Sequence, residues 1–142
     1  MNHPSDNQPT GHAIRLRGPG NLALTRNGTQ QEAVRVRIPG KFELNLFEAR
    51  KIQPEDTFVL LRTFGKPTGL DETQTVTLEL SGFDGAVRLM VNRDSEESLA
   101  VDFEHDSLSV DITNLLNDSN RFEVQFDSLP AVAGDVKLWI TE

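Results

Sequence analysis

The chain has 142 residues, 37% of them hydrophobic, no cysteine, and a formal net charge of −8 with a pI near 4.8. That length suits one domain burying about two thirds of its unfolded surface, and the lack of cysteine excludes disulfides, thiolate catalysis and Cys-ligated metal sites. The acidity, with no dense Lys/Arg tract, argues against a nucleic-acid partner; no run nears the roughly 18 apolar residues of a membrane span; MNHPSDNQPTGH lacks the basic and apolar regions of a signal peptide, so a cytoplasmic location is expected.

Met1 to His12 is polar, holds two prolines and shows no apolar period, which predicts a disordered tail over 1–12 and one domain over 13–142. Ile14 and Leu16 then alternate with Arg15 and Arg17, and Val34, Val36 and Ile38 alternate with Arg35 and Arg37. A period of two marks half-buried strands with one wet face. If these two strands pair, the four arginines form one ladder, open to solvent, to an acidic partner or to another copy's acidic rim.

Asn27-Gly28 is expected to make a tight hairpin turn, since both residues tolerate positive φ. Pro39-Gly40 predicts a type II turn at which a strand switches sheets. Further alternating sets are Phe42 to Leu46, Val76 to Leu80, Val87 to Val91 and Leu99 to Phe103, then Leu108 to Ile112, Phe122 to Phe126 and Val136 to Ile140. FVLLRTF, Phe58 to Phe64, is apolar on both faces and reads as a central strand, and Asp84-Gly85 reads as a second hairpin turn. About ten strands with turn signals every 8 to 12 residues or so predict an all-β antiparallel sandwich. The one helix candidate is DITNLL, where Asp111 or Thr113 caps a turn whose leucines, Leu115 and Leu116, plug an end of the core.

DITNLLNDSNRFEVQF, Asp111 to Phe126, with its Leu-Leu turn and Asn/Arg corner, resembles the sugar-binding domain of family 2 glycoside hydrolases, the β-galactosidase and β-glucuronidase group. LLRTFGKPTGL (60–70), TVTLELSGFDGAVRLMVN (75–92) and GDVKLWI (134–140) are similar to further segments of that domain, in the family's order. The resemblance covers 58–142 and implies a jelly roll of the galactose-binding type with carbohydrate-related ancestry. It also makes Asn92 a ligand candidate, because the family's matching asparagine reaches the sugar. Two departures stand out: Arg93 replaces the glycine that follows that asparagine, and the barrel with the family's catalytic glutamates is absent from this sequence. The family's hydrolase activity is therefore not carried over.

Glycoside hydrolysis needs two carboxyl groups facing across a cleft, about 5 to 10 Å apart; the 22 acidic residues fall mostly on wet faces and loops, and no such pair is evident. His3, His12 and His105 suit no triad. The acidic region from Asp94 to Asp111 reads as a charged rim or a calcium site, without EF-hand spacing. No enzyme, no cofactor and no catalytic metal are expected. Sugar modules grip pyranose faces with exposed aromatic rings, yet this chain has no Tyr and a single Trp. Trp139 alternates with Leu138 and Ile140 and so faces outward with Lys137 and Thr141. It serves as a sugar platform, as a contact with a protein partner or a second copy, or lies under a loop of its own domain. Arg62, on the strand apolar on both faces, needs a buried carboxylate partner. Trp139, Asn92 and Arg62 are the candidate ligand residues of a non-catalytic binding or accessory module. The alternative is a protein-interaction or assembly module that has lost sugar binding.

Overall fold

The computed structural model describes residues 11–43, 47 and 51–142. Among the described residues, twelve strands form two antiparallel sheets packed face to face, with a short third ladder. The four-stranded sheet has the order β1 (Gly11–Arg15), β12 (Asp135–Thr141), β6 (Thr75–Ser81), β9 (Leu108–Asp111). The six-stranded sheet has the order β3 (Thr29–Ile38), β2 (Gly18–Arg26), β5 (Thr57–Gly65), β10 (Ser119–Phe126), β7 (Ala86–Val91), β8 (Leu99–Asp102). β4 (Gly40–Lys41) and β11 (Val132–Ala133) make the third. From β5 onward the chain repeatedly hops between the two large sheets, as a jelly roll does.

Period-two alternation puts one set of side chains from each sheet into a common core. Leu22, Leu24, Phe58, Leu60, Leu89, Phe122, Val124 and Phe126 come from the six-stranded sheet, and Val76, Leu78, Leu80, Val136, Leu138 and Ile140 from the four-stranded one. β5 is central, bonded to β2 on one side and β10 on the other, as its apolar composition requires.

Several expectations are corrected. Gly11 and His12, assigned to the tail, pair with Thr141 and Ile140 at the start of β1; the rest of that tail lies outside the described residues. Leu44 and Leu46 also lie outside them, and Phe42 is buried without strand pairing. β2 lies where no strand is expected, because its Gly-Pro-Gly opening looks like a turn. Pro19 is tolerated because pairing with β5 starts only at Asn21, so at Pro19 the strand has one neighbour to satisfy. The arginine ladder is broken: Arg15 sits on β1 of the four-stranded sheet, Arg35 and Arg37 on β3 at the edge of the other. Asn27-Gly28 closes the β2–β3 hairpin with φ of 53° and 79°. Asp84-Gly85 instead joins β6 to β7 across the two sheets. The chain does leave the six-stranded sheet at Pro39, through a cis Ile38–Pro39 peptide rather than the expected type II turn.

DITNLL forms a 3-10 turn, Thr113–Leu115. Asp111 Oδ1 accepts from the Thr113 amide at 2.9 Å and its hydroxyl at 2.6 Å, and Leu115 and Leu116 pack on the core. A chain that is extended elsewhere bends here to carry β9 of one sheet into β10 of the other while covering apolar surface.

Candidate functional site

The outer face of the six-stranded sheet carries a groove of about 530 Å³. Strand register builds it row by row. Arg35, Asn21, Leu61, Glu123 and Met90 stand side by side from β3 to β7; Ala33, Ala23, Val59 and Gln125 make the next row; Gln30, Thr25 and Thr57 the third. Small and aliphatic side chains in the middle leave a shallow apolar floor, and amides and hydroxyls rim it.

Glu123 gives the groove its chemistry. It lies on the outward register yet is only 4% exposed, because Arg93 and Arg121 close over it. Arg93 Nε stands 3.2 Å from Glu123 Oε1 and Arg121 Nε 4.0 Å from the same atom, while Arg121 also pairs with Asp94. Covering a carboxylate is costly unless it is paired, and the two guanidiniums supply that pairing. Arg93 remains 56% exposed, so its outer N–H groups are open to a ligand. Among the described residues Glu123 is the one acid lining the groove.

At the far end Arg26 grips Asp56 bidentately, Nε to Oδ1 at 2.7 Å and Nη2 to Oδ2 at 2.9 Å, and Gln53 N–H donates to Oδ2 at 2.7 Å. The Arg26 hydrogen bond, outweighing desolvation and helped by Gln53 N–H and the guanidinium charge, lowers the Asp56 pKa from 3.8 to about 2. A depressed folded pKa means the stabilisation is complete above the ordinary carboxylate value and is lost as pH falls from about 4 toward about 2. Urea midpoints measured across that window are expected to fall, and Asp56→Asn, less stable at neutral pH, is expected to show a shallower acid limb. An identical acid limb in the variant would refute this assignment.

The three residues singled out from sequence do not converge. Asn92 adopts left-handed backbone with φ of 51°, a conformation asparagine tolerates. It is buried, and its amide is spent internally: Nδ2 donates to Leu115 O at 2.9 Å and Asn120 Oδ1 at 3.0 Å, and Oδ1 accepts from Arg121 N–H at 2.8 Å. Arg62 points to the core side of β5 and, contrary to expectation, has no carboxylate partner among the described residues. Nη1 donates to Thr63 O at 2.9 Å and Nη2 to Arg17 O at 2.5 Å, while Nε is the one buried side-chain polar atom without a partner among the described residues. Burial pushes its pKa below the usual guanidinium value. Backbone carbonyls at the open end of the sandwich thus replace the anion. Trp139 faces outward as expected, half-buried on β12 between Ala13 of β1 and Thr77 of β6, on the sheet opposite the groove.

Sequence reasoning missed Glu123. Alternation with Phe122 and Val124 did place it outward, but its burial comes from Arg93, on a loop at the end of β7, which strand periodicity does not locate.

No family model matches the sequence, and no curated protein matches it. Solved structures do. The Faecalibacterium prausnitzii β-glucuronidase superposes with a TM-score of 0.69 at 15% identity, covering 99% of this chain and 33% of that one. Bifidobacterium dentium β-glucuronidase, complexed with coumarin-3-O-glucuronide, gives 0.65 at 14%, covering 95% and 30%. Dictyoglomus thermophilum β-D-mannosidase gives 0.56 at 14%, covering 81% and 15%. The chain therefore has the antiparallel sandwich fold found within these much larger proteins, as its resemblance to family 2 glycoside hydrolases implied, and it spans a third or less of their length.

Proposed function

We propose that the chain is a non-catalytic accessory module whose six-stranded face binds carbohydrate. One observation carries the reading: a covered carboxylate, Glu123, held by a half-free guanidinium, Arg93, at the edge of an aliphatic floor. A sugar ring offers C–H faces that such a floor accepts and hydroxyls that carboxylate, guanidinium and the Asn21 and Gln125 amides orient. Glucuronides and mannosides are the first ligands to try, because the similar structures belong to proteins named β-glucuronidase and β-mannosidase.

Calorimetric titration of the full chain with glucuronides, mannosides and their oligomers is expected to show saturable binding. Glu123→Gln and Arg93→Ala are each expected to weaken it by about tenfold or more, the loss of one charge-assisted contact. Binding with both variants unchanged would move the site elsewhere. Turnover of chromogenic glycosides, abolished by Glu123→Gln, would refute the non-catalytic half of the proposal. The second reading, a protein-interaction or assembly module, is favoured by Trp139 on the outward face of the four-stranded sheet, and it stands if no sugar binds.

A further inference from the structure

The two middle rows of the outer face of the four-stranded sheet are divided by charge, with Asp135 standing beyond them at the start of β12. Arg15 on β1 and Lys137 on β12 occupy one half, Glu79 on β6 and Asp111 on β9 the other. Arg15, Lys137 and Glu79 share one row, and Trp139, Thr77 and Asp111 share the next. Lys137 and Glu79 are cross-strand neighbours, yet neither makes an ion pair, and the Trp139 indole N–H has no acceptor among the described residues.

We propose that this face is an isologous interface with a second copy of the chain. A two-fold axis parallel to the strands, midway between β12 and β6, carries each half of the face onto the oppositely charged half. Lys137 then meets the partner's Glu79, twice over, and Trp139 meets the partner's Thr77, whose hydroxyl accepts the indole N–H. Arg15 lies diagonally from the partner's Asp111. No like charges are directly opposed: Asp135 faces the partner's Ser81 and stands one row away from the partner's Glu79. An axis perpendicular to the strands pairs none of these groups, so charge alone selects the arrangement. Facing sheets pack about 10 Å apart with their strands near alignment, which leaves room for these side chains to interdigitate. Four short strands bury on the order of 1,000 Å² in total, the lower end for specific interfaces, so the dimer is concentration-dependent. The proposal does not rest on sugar binding. It does leave both grooves facing outward on opposite sides of the dimer, where two sites on one ligand chain, or two chains, are engaged together.

Sedimentation equilibrium of the full chain from about 1 µM to about 500 µM tests it. The mass is expected to rise from 15.8 kDa toward twice that value, with Trp139 emission moving to the blue over the same range. Lys137→Glu puts carboxylates face to face and Glu79→Lys opposes ammoniums, so each variant is expected to dimerise about tenfold more weakly or worse. The double variant restores the reciprocal pair and is expected to recover dimerisation, which a merely structural role for either residue does not do. A constant mass of one subunit, single and double variants that behave alike, or Trp139 quenched by sugar at unchanged mass would each overturn the proposal.

Discussion

Gly134→Ala is expected to cost about 4 kcal/mol or more, the largest effect of any single methyl in this chain. Gly134 links β11 to β12 where the chain passes over the end of β6. A Cβ there would lie 1.9 Å from Ser81 O and 2.7 Å from Gly82 C, both backbone atoms. Neither yields as a flexible side chain would, because Ser81 is paired with Asp135 in the β6–β12 ladder. The methyl must therefore push β12 away from β6, and with it the strand that carries Val136, Leu138 and Ile140 into the core. Close-packed interiors absorb such shifts poorly. At roughly 2–4 °C per kcal/mol for a domain of this size, the thermal midpoint is expected to drop by about 10 °C or more. A midpoint within a degree or two of the parent would show that the two backbones are not in close approach.

Asn120→Ala is expected to cost about 3 kcal/mol, because one buried amide ties three segments together. Its Oδ1 accepts from Asn117 N–H at 2.8 Å and from Asn92 Nδ2 at 3.0 Å, and its Nδ2 donates to Asn117 O at 2.9 Å. Asn92 in turn holds Leu115 O. The pair therefore clamps the 3-10 turn and the end of β7 onto the start of β10. Alanine removes both bonds to the Asn117 backbone and leaves one Nδ2 N–H of the buried Asn92 without its acceptor, and an unpaired buried group costs on the order of 1–3 kcal/mol. Asn92→Ala breaks part of the same network, so the double variant is expected to lose clearly less than the sum of the two singles. Urea unfolding of the four proteins in this cycle measures the coupling, and strict additivity would show that the two amides act independently. Because Arg93 and Arg121 flank this corner, loosening it is also expected to disturb the Glu123 end of the groove.

A side chain's choice of face is local information wherever alternation is plain. Alternation sets Val34 inward on β3 and Trp139 outward with Lys137 and Thr141, apolarity on both faces marks β5 as central, and turn chemistry marks Asn27-Gly28 and DITNLL. β2 escaped because Gly18, Pro19 and Gly20 signal a turn when read alone; the strand exists because β3 pairs with it from the first residue. Arg62 was expected to seek an acid, and it found the Arg17 and Thr63 carbonyls because the sandwich end presents unpaired backbone there.

Local physics, meaning period two, turn chemistry and charge, determined by itself that this is an acidic all-β sandwich and, for the strands it marks, which residues face the core. Which strand lies beside which was decided only by the tertiary structure. β1 joins β12 across almost the whole length of the chain, separating Arg15 from Arg35 and Arg37, and β6 passes to β7 between sheets rather than folding back on itself. The groove follows from those pairings. Asn21, Val59, Glu123 and Met90 come from four strands far apart in sequence, and they share a face because hydrogen-bond register, a property of pairs of strands rather than of any one of them, brings them there.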